Sequence, residues 1–274
     1  MSRVHACYEF LADDSEHIEF DLLDHGDSRP IFSFNDKQTT RKDGQYGKSS
    51  ARGEKMSNKL VGWNVVIAAH QFNPSIVSQT WLLKHKLVTE EDFRQGYMFT
   101  DALVQIQGEQ FNFLLVEEQL QFQPKVEKER EQELILSRVG AFVTELPHTP
   151  YKAVGLNFLW NVTPDLESVR DLSRRLFFRE ETPLFRNFEA EDAKFGAYFS
   201  RDVLGCRLRL EVKPILLSVG GVGQEHLHFA FNFNLDLGES EDPVASIESM
   251  LAKWDDAKRE TIRIVQSAEQ ERST

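Results

Sequence analysis

The sequence predicts an α+β fold made of two related β-α-β-β-α half-domains, each a mainly antiparallel sheet with its helices packed on one face. Three observations carry this. Segments with period-two apolar alternation lie between segments with a helical apolar stripe. Successive strand segments are joined by short turns such as Gly108-Glu109-Gln110. The order of segments also repeats once along the chain.

Residues 1–55 stand apart. Tyr8, Phe10, Leu11, Ile18, Phe20, Leu22 and Leu23 suit one or two strands, interrupted by Asp13, Asp14, Glu16 and Glu19. Residues 34–55 have almost no large apolar residue and no period, which reads as linker or disorder. Gly53-Glu54-Lys55 back-translates to purine-rich codons resembling a ribosome-binding site ahead of Met56. The leader is therefore read either as an over-extended gene start or as a flexible N-terminal arm. The domain proper opens at Met56, with a first half over 56–148 and a second half over 149–274.

In the first half, residues 64–72 (NVVIAAHQF) are apolar on both faces, as a central strand requires. Asn73 and Pro74 open a helix that runs to about Leu87. Strands follow over 102–107 and 111–123. In the latter, Phe111, Phe113 and Leu115 share one face while Leu120 and Phe122 fall on the other, so Glu117-Glu118 is read as a bulge or bend. Pro124 ends the strand. A helix spans about Val126 to Leu146, with the charged run EKEREQE expected in solvent.

The second half begins with a strand over 154–162, whose Val154, Leu156, Phe158, Trp160 and Val162 share an apolar face. Thr163-Pro164 opens a helix to about Phe178. Strands are expected near 194–200, over 204–217 and over 226–237, the last two joined by a hairpin turn at Gly220–Gly223. Asp242-Pro243 starts one long final helix carrying Ile247, Met250, Leu251, Trp254, Thr261, Ile262 and Val265 on its stripe. At an offset of 90 residues Pro74, Leu82, Leu114, Leu120 and Pro124 meet Pro164, Leu172, Leu204, Leu210 and Pro214, which reads as an internal duplication.

Composition removes whole classes of function. The chain has 274 residues, 32 Lys plus Arg against 44 Asp plus Glu, and a formal net charge of −12. That balance opposes general nucleic-acid binding and docking on an anionic membrane. No apolar run approaches the roughly 20 residues that span a bilayer. With only Cys7 and Cys206 there is no disulfide framework, and the cytoplasm is the expected location.

The run VVIAAHQF, the segment FLLVEEQLQFQP and the strand AVGLNFLWNV, in this order among helices, resemble a patchily distributed family of uncharacterised bacterial proteins of about 250 residues. Gly155-Leu156-Asn157-Phe158 is similar to that family's Gly-Leu-Arg-Tyr strand, with Asn157 standing in place of Arg. The resemblance covers roughly 60–237 and implies a bacterial origin, with stress or phage defence as the setting its patchy distribution suggests. It implies no defined activity and no functional residue.

Chemistry-bearing candidates are few. His226 and His228 lie on one strand face, where they form either a metal-chelating pair or part of a polar outer row. Arg170, Arg174 and Arg175 mark one helix face, and Arg207, Arg209 and Lys213 one strand face; these basic islands are candidate ligand or partner sites. Cys206 reads as a buried structural thiol. No G-x-S-x-G, H-E-x-x-H or phosphate-loop spacing occurs, so no catalytic residue and no cofactor are assigned. The reading that results is a non-enzymatic interaction or regulatory subunit, acting on a protein partner or as a homo-oligomer. The alternatives are a small-ligand-binding domain with an apolar cavity between sheet and long helix, and a metal-dependent enzyme.

Overall fold

The structure, a computed structural model, describes residues 57–165, 167–219 and 222–268. The leader with Cys7, and residues 220–221 of the glycine cluster, lie outside the described residues. In chain order the elements are β1 (Ser57–Ala69), α1 (Gln79–Lys84), β2 (Tyr97–Phe99), β3 (Leu103–Gln107), β4 (Phe111–Val116), β5 (Gln119–Pro124), α2 (Glu131–Ile135) and α3 (Ala141–Glu145). There follow β6 (Tyr151–Thr163), α4 (Val169–Phe177), β7 (Ala197–Val203), β8 (Cys206–Val219), β9 (Val222–Asp236), α5 (Pro243–Leu251) and α6 (Trp254–Ser267).

All nine strands join one sheet in the order β2-β3-β4-β5-β1-β6-β9-β8-β7, with every neighbouring pair antiparallel. The seam between the first and second halves is the long β1–β6 pair. There Asn64 faces Asn157 and Val65 faces Leu156, and a register shift between Leu60 and Gly62 leaves Val61 as the extra residue. One face is apolar: Val65, Leu156, Phe158, Phe122, Phe231 and Phe233 lie on it and are fully buried or nearly so. The helices cover this face. Trp254 of α6 stacks against Phe158, and Phe142 of α3 against Phe113, while α4 lies against β8 and β9. A strand with an apolar face buries it only where helices or a second sheet cover it, and here helices do so.

Several elements differ from the sequence expectation. The segment 111–123 is a hairpin, β4 and β5, turning at Glu117-Glu118 with Val116 facing Gln119 and Leu115 facing Leu120. Cross-strand partners in such a hairpin have opposite parity, so the change of phase that suggested a bulge is what a two-residue turn produces. The three-residue β2 escapes sequence patterning altogether. After Asn73 the chain makes one 3-10 turn over Pro74–Ile76, and α1 is capped instead by Ser78, whose Oγ accepts the N–H of Trp81. Likewise α4 starts at Ser168, which caps the N–H of Asp171, and residue 163 belongs to β6. The last helix is two, α5 and α6, broken at Ala252-Lys253; Asp242 caps the first through the N–H of Ala245, as expected.

Pro214 lies inside β8 and does not end it. Positions 206, 208, 210 and 212 of β8 direct their backbone polar groups toward β7, and 214 continues that series one step past Ala197, where β7 stops. Its missing N–H therefore falls on the free side of the strand and removes no ladder bond. Just before β7, Gly196 passes so close to its neighbour that a Cβ there would sit 2.4 Å from the Val212 carbonyl oxygen.

The charged run EKEREQE also holds a surprise. Its Glu131 is only 3% exposed and receives both Lys258 of α6, at 2.8 and 2.7 Å, and the Trp254 indole N–H at 2.8 Å. Glu131 begins the stripe continued by Leu134, Ile135, Val139 and Phe142, so it faces the core rather than solvent.

Candidate functional site

The face opposite the helices carries none of them among the described residues. Its middle is an array of side-chain amides. Asn157 Nδ2 donates to Asn64 Oδ1 at 2.9 Å across the seam, and Asn232 Nδ2 donates to Asn157 Oδ1 at 2.7 Å. On the β2–β5 side, Asn112 Nδ2 donates to Gln123 Oε1 at 3.0 Å, and Lys125 Nζ reaches Asn112 Oδ1 at 3.1 Å. Gln105, Leu114, Gln121 and Val66 form the adjacent row, by the pairings of β3, β4, β5 and β1. No strand residue on this face of β2–β5 is charged. Gln121 is 3% exposed, and its Oε1 has no hydrogen-bond donor among the described residues. An unsatisfied buried amide oxygen is uncommon.

The histidines sit at one end of this face. His228 Nδ1 lies 2.7 Å from Asn161 Oδ1, and His226 Nδ1 lies 2.7 Å from Thr163 Oγ1. Burial pushes the His228 imidazole down to about 4, helped by the charges of Lys213 and His226 and opposed by Glu211. Burial alone lowers His226. Both rings are thus neutral near pH 7 and tied to side chains of β6. Lys213 faces His228 on β8, where a metal would want a carboxylate. Among the described residues, no group of three or more His, Cys, Asp or Glu is arranged to hold a metal ion.

The basic residues form two islands on opposite faces of the sheet. Arg207, Arg209 and Lys213 project from β8 on the open face. Arg207 pairs with Asp202 at 3.0 Å and Lys213 with Glu211 at 3.3 Å, while Arg209, opposite Asn232 and Ser200, has no ion-pair partner among the described residues. Arg170, Arg174 and Arg175 belong to α4 on the helix-covered face. Arg170 binds Asp171 and the Glu191 carbonyl, Arg175 binds Glu167, and the Arg174 guanidinium stacks 4.2 Å over the Phe178 ring. A single anion therefore cannot bridge the two sets. The Ser168 hydroxyl and Arg170 hold the Asp171 carboxyl below the usual carboxylate range.

Cys206 is buried, its Sγ donates to the Val203 carbonyl, and burial raises its thiol. An apolar cavity of about 340 Å³ opens between α4, α6 and β7–β9, lined by Phe177, Phe199, Leu210, Val212, Phe229 and Ile264. It lies between sheet and final helix. The phenylalanine content hinted at such a space, but its place depends on how α4 and α6 splay apart, which sequence periodicity does not encode. The amide array escaped notice because its members come from β1, β4, β5, β6 and β9. The only signal was the recurrence of Asn and Gln at alternate positions, as in residues 119–123 and 232–234. No described helix is long and apolar enough to cross a membrane. Compared with protein-family models, curated proteins and solved structures, the chain matches none.

Proposed function

We propose that the chain is a non-enzymatic interaction subunit that receives a protein partner on the open face of its sheet. The observation that carries this is the amide array, a line of neutral, mutually hydrogen-bonded polar groups in the middle of a nine-stranded face that the described helices leave uncovered. Amides hydrogen-bond a polypeptide without demanding charge, and with Lys125 as the charged group that reaches the array on the β2–β5 half, such a contact depends little on salt. This sparsely charged surface also gives a negatively charged chain a region that does not repel an acidic partner.

The fold of this platform is read as a duplication of halves 56–148 and 149–274. In support, the strand order runs outward from the seam as β1-β5-β4-β3 on one side and β6-β9-β8-β7 on the other. Ser78 and Ser168 cap corresponding helices 90 residues apart, and Leu82 and Leu172 bury at the same offset. The Leu114/Leu204, Leu120/Leu210 and Pro124/Pro214 coincidences fall on non-corresponding elements and lend no support.

The test compares capture by the native chain with capture by two chains altered at half-buried open-face positions, Leu114→Arg and Asn234→Arg. A partner held at elevated salt by the native chain and released by both variants, with folding intact, is the expected result. A partner retained by both variants would refute the open face as its seat. A second reading, a small apolar molecule held between sheet and final helix, draws on the cavity described above. Mass spectrometry of the undenatured protein finds or fails to find such a molecule.

A further inference from the structure

The two edges of the sheet differ. One is β2, three residues long; the other is β7, seven residues in unbroken register with β8. Long regular edges attract other strands, and proteins ordinarily blunt them with bulges, prolines or charged side chains. β7 has no bulge and no proline. Its Arg201 and Asp202 are already paired within the chain, with Glu260 and Arg207. Tyr198 and Phe199 stand 65% and 49% exposed.

The backbone of β7 fixes which groups are free. Leu204 and Gly205, at φ 55 and 69, make a two-residue turn of the mirror-image type between β7 and β8. In such a turn the flanking pair, Val203 and Cys206, exchanges both hydrogen bonds, so Arg201 and Phe199 also bond inward. The N–H and C=O groups of Tyr198, Ser200 and Asp202 therefore point away from the sheet.

We propose that two copies of this chain join through β7, antiparallel about Ser200, into one sheet continuous across a two-fold axis. In that register Ser200 meets its own copy and Tyr198 meets Asp202, and these are the pairs whose free backbone groups face each other. The side chains agree with the backbone. On the open face each Tyr198 hydroxyl can donate to the carboxylate of the other copy's Asp202. On the helix-covered face each Phe199 ring meets the guanidinium of the other Arg201, a favourable cation–π pairing. A second observation points to the same occupant. The apolar cavity between α4 and α6 borders this edge, with Phe199 and Arg201 in its wall and the Phe177 ring 6.3 Å from Phe199. Pairing the edges brings the two cavity walls near the axis and covers apolar surface of Tyr198 and Phe199 that a single copy leaves in water. The two open faces then lie side by side, so the amide platform is doubled without being obstructed.

The test is the mass of the full chain in solution, by light scattering over a concentration series, for the native chain, Ser200→Ala and Ser200→Pro. The Ser200 N–H points outward, so proline there removes no β7–β8 bond but deletes the central bonds of the interface. The alanine variant loses the same hydroxyl bond to the Leu208 carbonyl and keeps the N–H, and so controls for it. A native dimer, an alanine dimer and a proline variant whose dissociation constant rises roughly tenfold or more, with an unchanged circular-dichroism spectrum, are expected. Should the proline variant fail to fold, Ser200→Cys decides in a Cys7→Ser background. A hydrogen-bonded antiparallel pair sets Cα atoms about 5.5 Å apart, within disulfide range, so mild oxidation should yield a covalent dimer. A native chain that stays monomeric to its solubility limit, a proline variant that dimerises as tightly as the native chain, or a monomer whose cavity holds an apolar small molecule would each overturn the proposal.

Discussion

Replacing Lys258 with Met should be among the most damaging single changes in this protein. Lys258 and Glu131 join α6 to α2, one from each half, with side-chain exposures of 8% and 3%. The ammonium donates to both carboxylate oxygens, and the Trp254 indole supplies one further bond to Oε2. Methionine fills nearly the same volume, so packing is largely conserved. What remains is a buried carboxylate with a single neutral donor, a situation that costs about 3–5 kcal/mol. Against the roughly 5–15 kcal/mol that holds a typical domain together, this is a large fraction. Urea unfolding at neutral pH measures it directly. A further result follows from the same physics. The double variant Glu131→Leu/Lys258→Met removes both charges and should recover most of the stability, because an apolar pair of similar volume replaces a buried ion pair at little cost. A loss below about 1 kcal/mol for Lys258→Met, or a double variant as unstable as the single one, would refute the claim that the charge left unpaired is what matters.

Three other expectations are independent of this pair. Phe158→Ala empties a fully buried position against Phe233 and Trp254 and should cost about 3–5 kcal/mol in denaturant unfolding; a change under about 1 kcal/mol would mean the site collapses fully around the gap. His228 is depressed to about 4 from an ordinary 6.5, so the unfolded chain binds a proton between those values that the folded chain does not. Its contribution is complete above pH 6.5 and is lost as pH falls toward 4, by up to about 3 kcal/mol, and a His228→Asn chain should show a flatter stability profile over that window in parallel melts. Gly196→Ala drives a Cβ to 2.4 Å from the Val212 carbonyl oxygen, so the start of β7 must shift; a loss of about 1–3 kcal/mol is expected, and an unchanged melting midpoint would show that the segment yields freely.

Sequence periodicity located most of the strands because burying one face of a sheet imposes a period of two, whatever lies across from it. Thus Val154 to Val162 and the alternating row of β9 were legible from residue types alone. Local chemistry marked the start of α5 at Asp242, because a cap acts over three residues. The same locality misled at Asn73, where Ser78 a turn later makes the bond, and at residue 163, where pairing with β1 extends β6 past the expected boundary.

What the sequence by itself determined is therefore the α+β class, the apolar faces of the long strands and the burial of residues such as Phe158, Phe231 and Cys206. These follow from short-range periodicity and the transfer of apolar groups from water. The tertiary structure decided the rest. It merged the two sheets through the β1–β6 seam, put the two arginine islands on opposite faces, and drew Asn64, Asn157 and Asn232 into one hydrogen-bonded line. It also turned Glu131 from an expected surface charge into the buried partner of Lys258. Each of these is a pairing between residues dozens of positions apart, and the energy of such a pair depends on what the fold brings opposite, which no local pattern contains.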